Sequence, residues 1–243
     1  MEVTETLEFE NKDRKDIYEY VERFGSVDPD AARNALDMDP RAFGHGVAIL
    51  KRDGILEEVD GELRIAYEGG AEEEFRDDGV EFVIRQARQE DLSGLVGSIR
   101  TVLEAKTYVK AETVADVVDN EGVLLRHNDL ESRIFFVACV GEDVVGWVHL
   151  NAPESEKLSH TAELTLGVLE RYQGHGIGSH LLERGLEWAA SHGYEKIYNS
   201  IPASNQEAID FLEDHGWRIE ATREGHYKLD GEYIDEVMME LDL

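Results

Sequence analysis

The chain has 243 residues, 42% of them hydrophobic, and a formal net charge of −30 from 24 Lys and Arg against 54 Asp and Glu. That periodically placed apolar fraction excludes a disordered chain. The single cysteine, Cys139, excludes a disulfide framework and a cysteine metal site, and no 18-residue apolar run exists to cross a membrane as a helix.

In chain order, Ile17, Tyr20, Val21 and Phe24 recur at helical spacing and predict an amphipathic helix that ends at Gly25. Asp28-Pro29 and Asp39-Pro40 each pair a capping Asp with Pro at a first helical position, and so predict two further helix starts. The second of these carries Phe43, Val47 and Leu50 and closes near Gly54. Residues 55–65 predict a hairpin around Asp60-Gly61. Three helices and a hairpin resemble a small winged helix-turn-helix domain over residues 1–66. The acidic, Gly-rich stretch 67–80 is expected to be a linker, leaving residues 81–243 as the larger domain.

In that domain residues 81–87 predict a strand, and Asp91 caps a helix whose buried face is Leu92, Leu95, Val96, Ile99, Val102 and Leu103. A second helix is expected over roughly 111–126. Residues 134–140 and 143–150 predict a hairpin around Gly141-Glu142. Further strands are expected at about 161–168 and 195–201, helices at 177–191 and 205–214, and two strands at the end.

The most informative stretch lies between the strand ending at Val168 and the helix beginning near Ile177. Gly174, Gly176 and Gly178 let a backbone pass close to a ligand. The free N–H groups and positive dipole end of the following helix form an anion site, suited to a diphosphate-bearing cofactor. A dinucleotide fingerprint counted from Gly174 fails at Ser179, and no Gly-Lys-Ser/Thr exists for a P-loop. The stretch instead reads Gln173-x-x-Gly176-x-Gly178. Downstream come Asn205-x-x-Ala208-x-x-Phe211-Leu212-x-x-x-Gly216-Trp217 and Tyr227-x-x-Asp230-Gly231-x-Tyr233-x-Asp235-x-x-Met238.

These motifs, over roughly residues 81–243, resemble the GNAT superfamily of N-acetyltransferases. The resemblance implies an α/β (α+β) GNAT fold with a mixed central sheet whose middle strands splay around the pantetheine arm of acetyl-CoA. It also implies direct transfer of the acetyl group to a primary amine, with small amines or amino acids the first candidates and protein amines the second. Main-chain groups of Leu166 and Val168 would pair with pantetheine. Backbone N–H groups of Gln173, Gly174, His175, Gly176, Ile177, Gly178 and Ser179 would hold the pyrophosphate, and Asn205 would bond near the sulfur while also capping its helix.

A base must take the amine's proton, and Glu163 and His160 are the nearest candidates. Glu163 lies an odd number of residues from Val168, so alternation turns it to the opposite face. The family's usual acid, a Tyr, is replaced by Leu212, which leaves Tyr227 or Tyr198 as substitutes, or solvent, since a thiol pKa is only ~8.5. The acceptor side would be lined by residues 106–110 and 151–160. A non-catalytic alternative is a winged-helix regulator that senses acetyl-CoA.

His160, His175, His180 and His192 are scattered and form no metal-binding motif, so no metal is expected. The acidity is diffuse, net −13 over residues 1–80 and −17 over 81–243, with only 8 Lys. That pattern resembles proteins of extreme halophiles, in which molar salt silences self-repulsion. Arg41, His45, Lys51 and Arg52 offer DNA contacts in residues 1–66, but the module has no basic stripe, and DNA binding is not the favoured reading. With no signal-peptide pattern at the N-terminus the expected location is cytoplasmic, without membrane contact. A homodimer is compatible with the sequence.

Overall fold

The computed structural model describes residue 9 and residues 11–66, 70–77, 79–105, 108–128, 131–153 and 157–243. Three short strands and three helices come first: α1 (Lys12–Phe24), β1 (Ser26–Val27), α2 (Pro29–Ala35), α3 (Pro40–Arg52), β2 (Leu56–Val59) and β3 (Glu62–Ile65). Asp28 and Asp39 accept backbone N–H bonds at the starts of α2 and α3, each followed by Pro, as the two Asp-Pro pairs predict. Asp60 and Gly61 both take positive φ (53° and 85°), the geometry of a tight hairpin turn. The strands order β1-β3-β2. Ile17, Val21, Phe43, Leu50, Leu56 and Leu63 are buried together and continue into the core of the rest of the chain.

The second sheet begins with β4 (Glu73–Asp77) and β5 (Val80–Gln86), followed by α4 (Leu92–Ala105) and α5 (Val109–Glu121). Next come β6 (Arg126–His127), β7 (Glu131–Val140), β8 (Asp143–Pro153), β9 (Thr161–Val168), α6 (Ile177–Ser191), β10 (Lys196–Pro202), α7 (Gln206–Asp214), β11 (Arg218–Leu229) and β12 (Glu232–Asp242). Among the described residues the order is β11-β12-β10-β9-β8-β7-β5-β4, with β6 on β7. All these pairs are antiparallel except β9 with β10. α4 and α5 bury Leu95, Ile99, Ala115 and Val118 against Phe135, Val137 and Trp147 on one face. On the other, α6 and α7 add Leu181, Leu182, Trp188, Ile209 and Leu212 to the larger core.

One sequence expectation needs correction. Residues 67–80 do not form a linker throughout, because Glu73–Asp77 is an edge strand paired with Val80–Ile84. Four of its five residues are charged, which suits an edge exposed to water, and only Phe75 packs inward. Residues 67–69 and 78 of that stretch lie outside the described residues.

The two modules meet through side chains that reach across. The Tyr18 hydroxyl donates to the His127 carbonyl. Arg126 donates to the Glu22 carbonyl at 3.0 Å, and the Asn128 amide to the Glu22 carboxylate at 2.8 Å. Together these bonds pin the C-terminal half of α1 to β6 and Asn128.

Candidate active site

β9 and β10 pair in parallel only from Lys196↔Thr161 to Tyr198↔Glu163, then part. Among the described residues no strand pairing bridges the upper halves of the two strands. A cleft of about 340 Å³ opens there, walled by Thr165–Val168 of β9, Asn199–Pro202 of β10, the start of α5 and α7.

The glycine turn closes its upper end. Gln173, Gly174, Gly176, Gly178 and Ser179 line the cleft, as do Leu166 and Val168. Gly174 and Gly176 sit at φ of +79° and +70°, which other L-residues rarely adopt. Gly176 is the N-cap of α6, and among the described residues no side chain caps the first N–H groups of the helix, so these are free to meet an anion. The Gln173 side chain donates to the Val168 carbonyl at 3.0 Å and braces the turn against the end of β9. Ser179 is bonded to His215 at 3.0 Å, which ties α6 to the end of α7.

Other expected site residues lie off the cleft wall. Ile177 is a core side chain, 1% exposed, so only its backbone can serve a ligand. His175 does not line the cleft, and its Nδ1 is buried without a hydrogen-bond partner among the described residues. Asn205 caps α7 by accepting at Oδ1 from the Ala208 N–H at 3.4 Å, while its Nδ2 is buried with no hydrogen-bond partner among the described residues. The cap uses one half of the amide and leaves a donor for a ligand. A free helix start, a turn with no Cβ in the way and an orphaned amide donor together fit a pyrophosphate-bearing cofactor with an amide-containing arm.

Glu163 faces away from Val168, as alternation predicts, and pairs with Lys110 Nζ on α5 at 2.8 Å. Lys110 lines the cleft and Glu163 stands directly behind it. Beside Glu163, Tyr198 has its pKa raised by burial first and by the Glu163 charge second. Tyr227 does not line the cleft. Its hydroxyl donates to Glu236 at 2.9 Å, and burial together with that bond raises its pKa strongly, which makes it a poor proton donor. Leu212 does line the cleft, so no hydroxyl occupies that point.

Sequence reasoning missed Thr165, Asn199 and Ser200 in the wall, whereas Tyr108, Val109 and Lys110 of the expected stretch 106–110 do line it. Thr165 was legible, since it lies two residues beyond Glu163 on the same face. Its hydroxyl meets His149 Nδ1 at 3.1 Å. Lys106, Thr107 and residues 154–156, expected on the acceptor side, lie outside the described residues.

Residues 98–217, just under half of the chain, match the model of the acetyltransferase (GNAT) family. An L-amino acid N-acetyltransferase, AaaT, of Escherichia coli is 28% identical over 104 residues, 42% of this chain and 64% of that protein. A putative phosphinothricin acetyltransferase, YwnH, of Bacillus subtilis is 27% identical over 160 residues, 63% of this chain and 93% of that one. The chain spans less than two thirds of the length of the first curated relatives it matches. The structure of yncA, a putative acetyltransferase from Salmonella typhimurium with its cofactor acetyl-CoA, superposes with a TM-score of 0.54 at 19% identity, covering 67% of this chain and 94% of that one. The splayed sheet, the glycine turn and these matches lead to one statement: over residues 98–217 the chain is similar to acetyltransferase domains of the GNAT family and shares their fold.

Proposed function

We propose that the protein transfers the acetyl group of acetyl-CoA to the primary amine of a small molecule, an amino acid or similar amine first and a protein amine second. The observation that carries this reading is the cleft between β9 and β10, headed by the helix start at Gly176 and walled at Lys110, behind which stands a carboxylate, Glu163.

In this reading the N–H groups of residues 173–179 hold the pyrophosphate, and the backbone of Leu166 and Val168 pairs with the pantetheine amides. Such backbone donors supply positive potential that an acidic chain lacks in its side chains. Asn205 Nδ2 donates near the sulfur. When bound, acetyl-CoA supplies a thioester whose carbonyl carbon the amine attacks, with CoA leaving as the thiolate. Glu163 takes the ammonium's proton, directly or through a water, so that the nitrogen lone pair is free. The thiolate needs no dedicated acid, because a thiol pKa of ~8.5 makes it a good leaving group. That is consistent with Leu212 where a Tyr is expected and with Tyr227 bonded to Glu236.

Residues 1–66 we read as a winged-helix-like module, on the order of its three helices and hairpin. Of the four α3 groups considered for DNA, Lys51 is paired with Glu58 and Arg52 with Asp53, which keeps DNA binding the less favoured role. The same Leu212 supports a second reading, a regulator that binds acetyl-CoA without turning it over.

The decisive experiment is free-thiol release from acetyl-CoA against amino acids, polyamines and amine-terminated peptides, run in multimolar KCl beside calorimetric binding of acetyl-CoA. Release with one acceptor class supports the enzyme; binding without release supports the sensor. Gly178→Glu is the control for the site. Gly178 has ordinary φ, and a Cβ there meets nothing closer than 3.6 Å, so the variant should fold and lose binding through bulk and charge at the pyrophosphate. Unchanged affinity would remove the turn from the site.

A further inference from the structure

Lys110 on the cleft wall and Glu163 behind it are two opposite charges of the kind that an amino-acid head can pair with. Lys110, in the first turn of α5, lines the cleft, and its Nζ stands 2.8 Å from Glu163 Oε1. The Glu163 side chain is 17% exposed and that of Lys110 38%, so the carboxylate is the fixed half and the ammonium the half that can swing. Glu163 lies in register with Tyr198, the last paired position before β9 and β10 part. Across the other edge of β9 it lies in register with Asn151, whose Oδ1 is buried with no hydrogen-bond partner among the described residues.

An amine that enters to be acetylated must bring its nitrogen to Glu163, where the ammonium of Lys110 already sits. A simple amine would displace Lys110 and leave it unpaired in a partly buried wall. A zwitterion replaces both halves of the pair: its ammonium takes Glu163, with Asn151 Oδ1 as a second acceptor, and its carboxylate takes Lys110. The long, flexible stem of Lys110 allows that opening.

We propose that the Lys110–Glu163 pair is an exchangeable recognition element, and that the acceptor is an amino acid with a free α-carboxylate beside its amine. This rests on the acetyl-transfer reading of the cleft. It makes Lys110 the residue that selects against simple amines, polyamines and peptide amines, none of which carries a carboxylate next to the reacting nitrogen. Loss of the Lys110 charge removes one side of the exchange and leaves Glu163 in place.

The test compares thiol release from acetyl-CoA with L-amino acids and with the corresponding L-amino-acid amides. An amide's amine is less basic, so more of it is neutral at a given pH, and without carboxylate recognition the amide reacts faster. The expected result is a kcat/KM at least tenfold higher for the acid in the full-length protein. In Lys110→Gln that ratio should fall tenfold or more, chiefly through KM for the acid, while Lys110→Arg should keep the preference. Amides used as well as acids by the unmodified protein would overturn the proposal without a variant. So would an acid-to-amide ratio unchanged in a folded Lys110→Gln. No release with any acceptor, acid or amide, would overturn the acetyl-transfer reading itself and this proposal with it.

Discussion

His149 shows how a single buried side chain couples this site to pH. Its ring packs against Phe135 at 4.5 Å, its Nδ1 meets Thr165 and it is 3% exposed. Burial first, and the Arg133 charge second, lower its pKa to about 3. An unfolded imidazole takes up a proton near 6.5. Between those values the unfolded chain binds a proton that the folded chain refuses, so stability is lost as pH falls through that window; above it both forms are neutral and His149 contributes nothing. His127, lowered to about 4 by burial, acts in the same sense. Each such histidine contributes a slope of about 1.4 kcal/mol per pH unit. Denaturant unfolding between pH 6.5 and 4 should therefore show a shallower loss in His149→Gln than in the unmodified protein. Equal slopes would mean that His149 is charged in the folded state. The comparison belongs in molar KCl, because acidification also discharges surface carboxylates.

At the scale of elements, β4 is the feature that the sequence hid. Periodicity works where one face is buried over several residues. It placed β9, α6 and α7 within a residue or so of their bounds, because Leu164, Leu181, Leu182, Ile209 and Leu212 repeat with the right period. Residues 73–77 offer a single packed apolar side chain in a charged run, and their order comes from partners far along the chain. The Phe75 ring stacks on His180 at 4.0 Å, and Arg184 holds Glu73 and donates to the Ala71 carbonyl at 2.8 Å. The Lys110–Glu163 pair was hidden for the same reason, since its halves are far apart in sequence and meet only through the packing of α5 on the sheet. The glycine turn, by contrast, was legible because its chemistry is local.

β4 thus runs along α6 toward its N-terminus and brings an acid to the glycine turn. A Cβ built on Gly176 would stand 2.7 Å from Asp77 Oδ2. A carboxylate there favours the positive end of α6 while the turn holds no anion, and opposes a pyrophosphate that comes to the same place. Charges at helix ends contribute about 0.3–1 kcal/mol at low ionic strength, so Asp77→Asn should tighten acetyl-CoA about two- to fivefold in dilute buffer. The gain should vanish in molar salt. Calorimetry at both salt concentrations reads this directly, and equal affinities in dilute buffer would show that Asp77 does not face the ligand.

At the scale of the whole molecule the governing quantity is the net charge of −30, shared by both modules. Local pairs such as Arg85 with Asp91 at 2.6 Å or Arg223 with Glu236 at 2.9 Å neutralise some acids, but 54 carboxylates face 24 bases, and most of the excess lies on the surface. The contact between modules joins a shared apolar core to polar bonds through Tyr18, Glu22, Arg126 and Asn128, so long-range repulsion bears on docking as well as on folding. Screening lengths fall from ~10 Å at 0.1 M salt to ~3 Å at 1 M. Repulsion between surface acids should then fade, while buried pairs such as Arg85–Asp91 persist. The thermal midpoint should therefore rise from 0.1 M to 2 M KCl, with most of the gain below 1 M, where the screening length changes most. A variant with exposed acids of residues 1–66 changed to their amides, for example at Asp37 and Asp60, where positive φ suits Asn equally well, should start higher in dilute buffer and gain less from salt. A midpoint that ignores KCl would show that burial of the core outweighs the repulsion, and would remove the physical case for reading the acidity as an adaptation to salt.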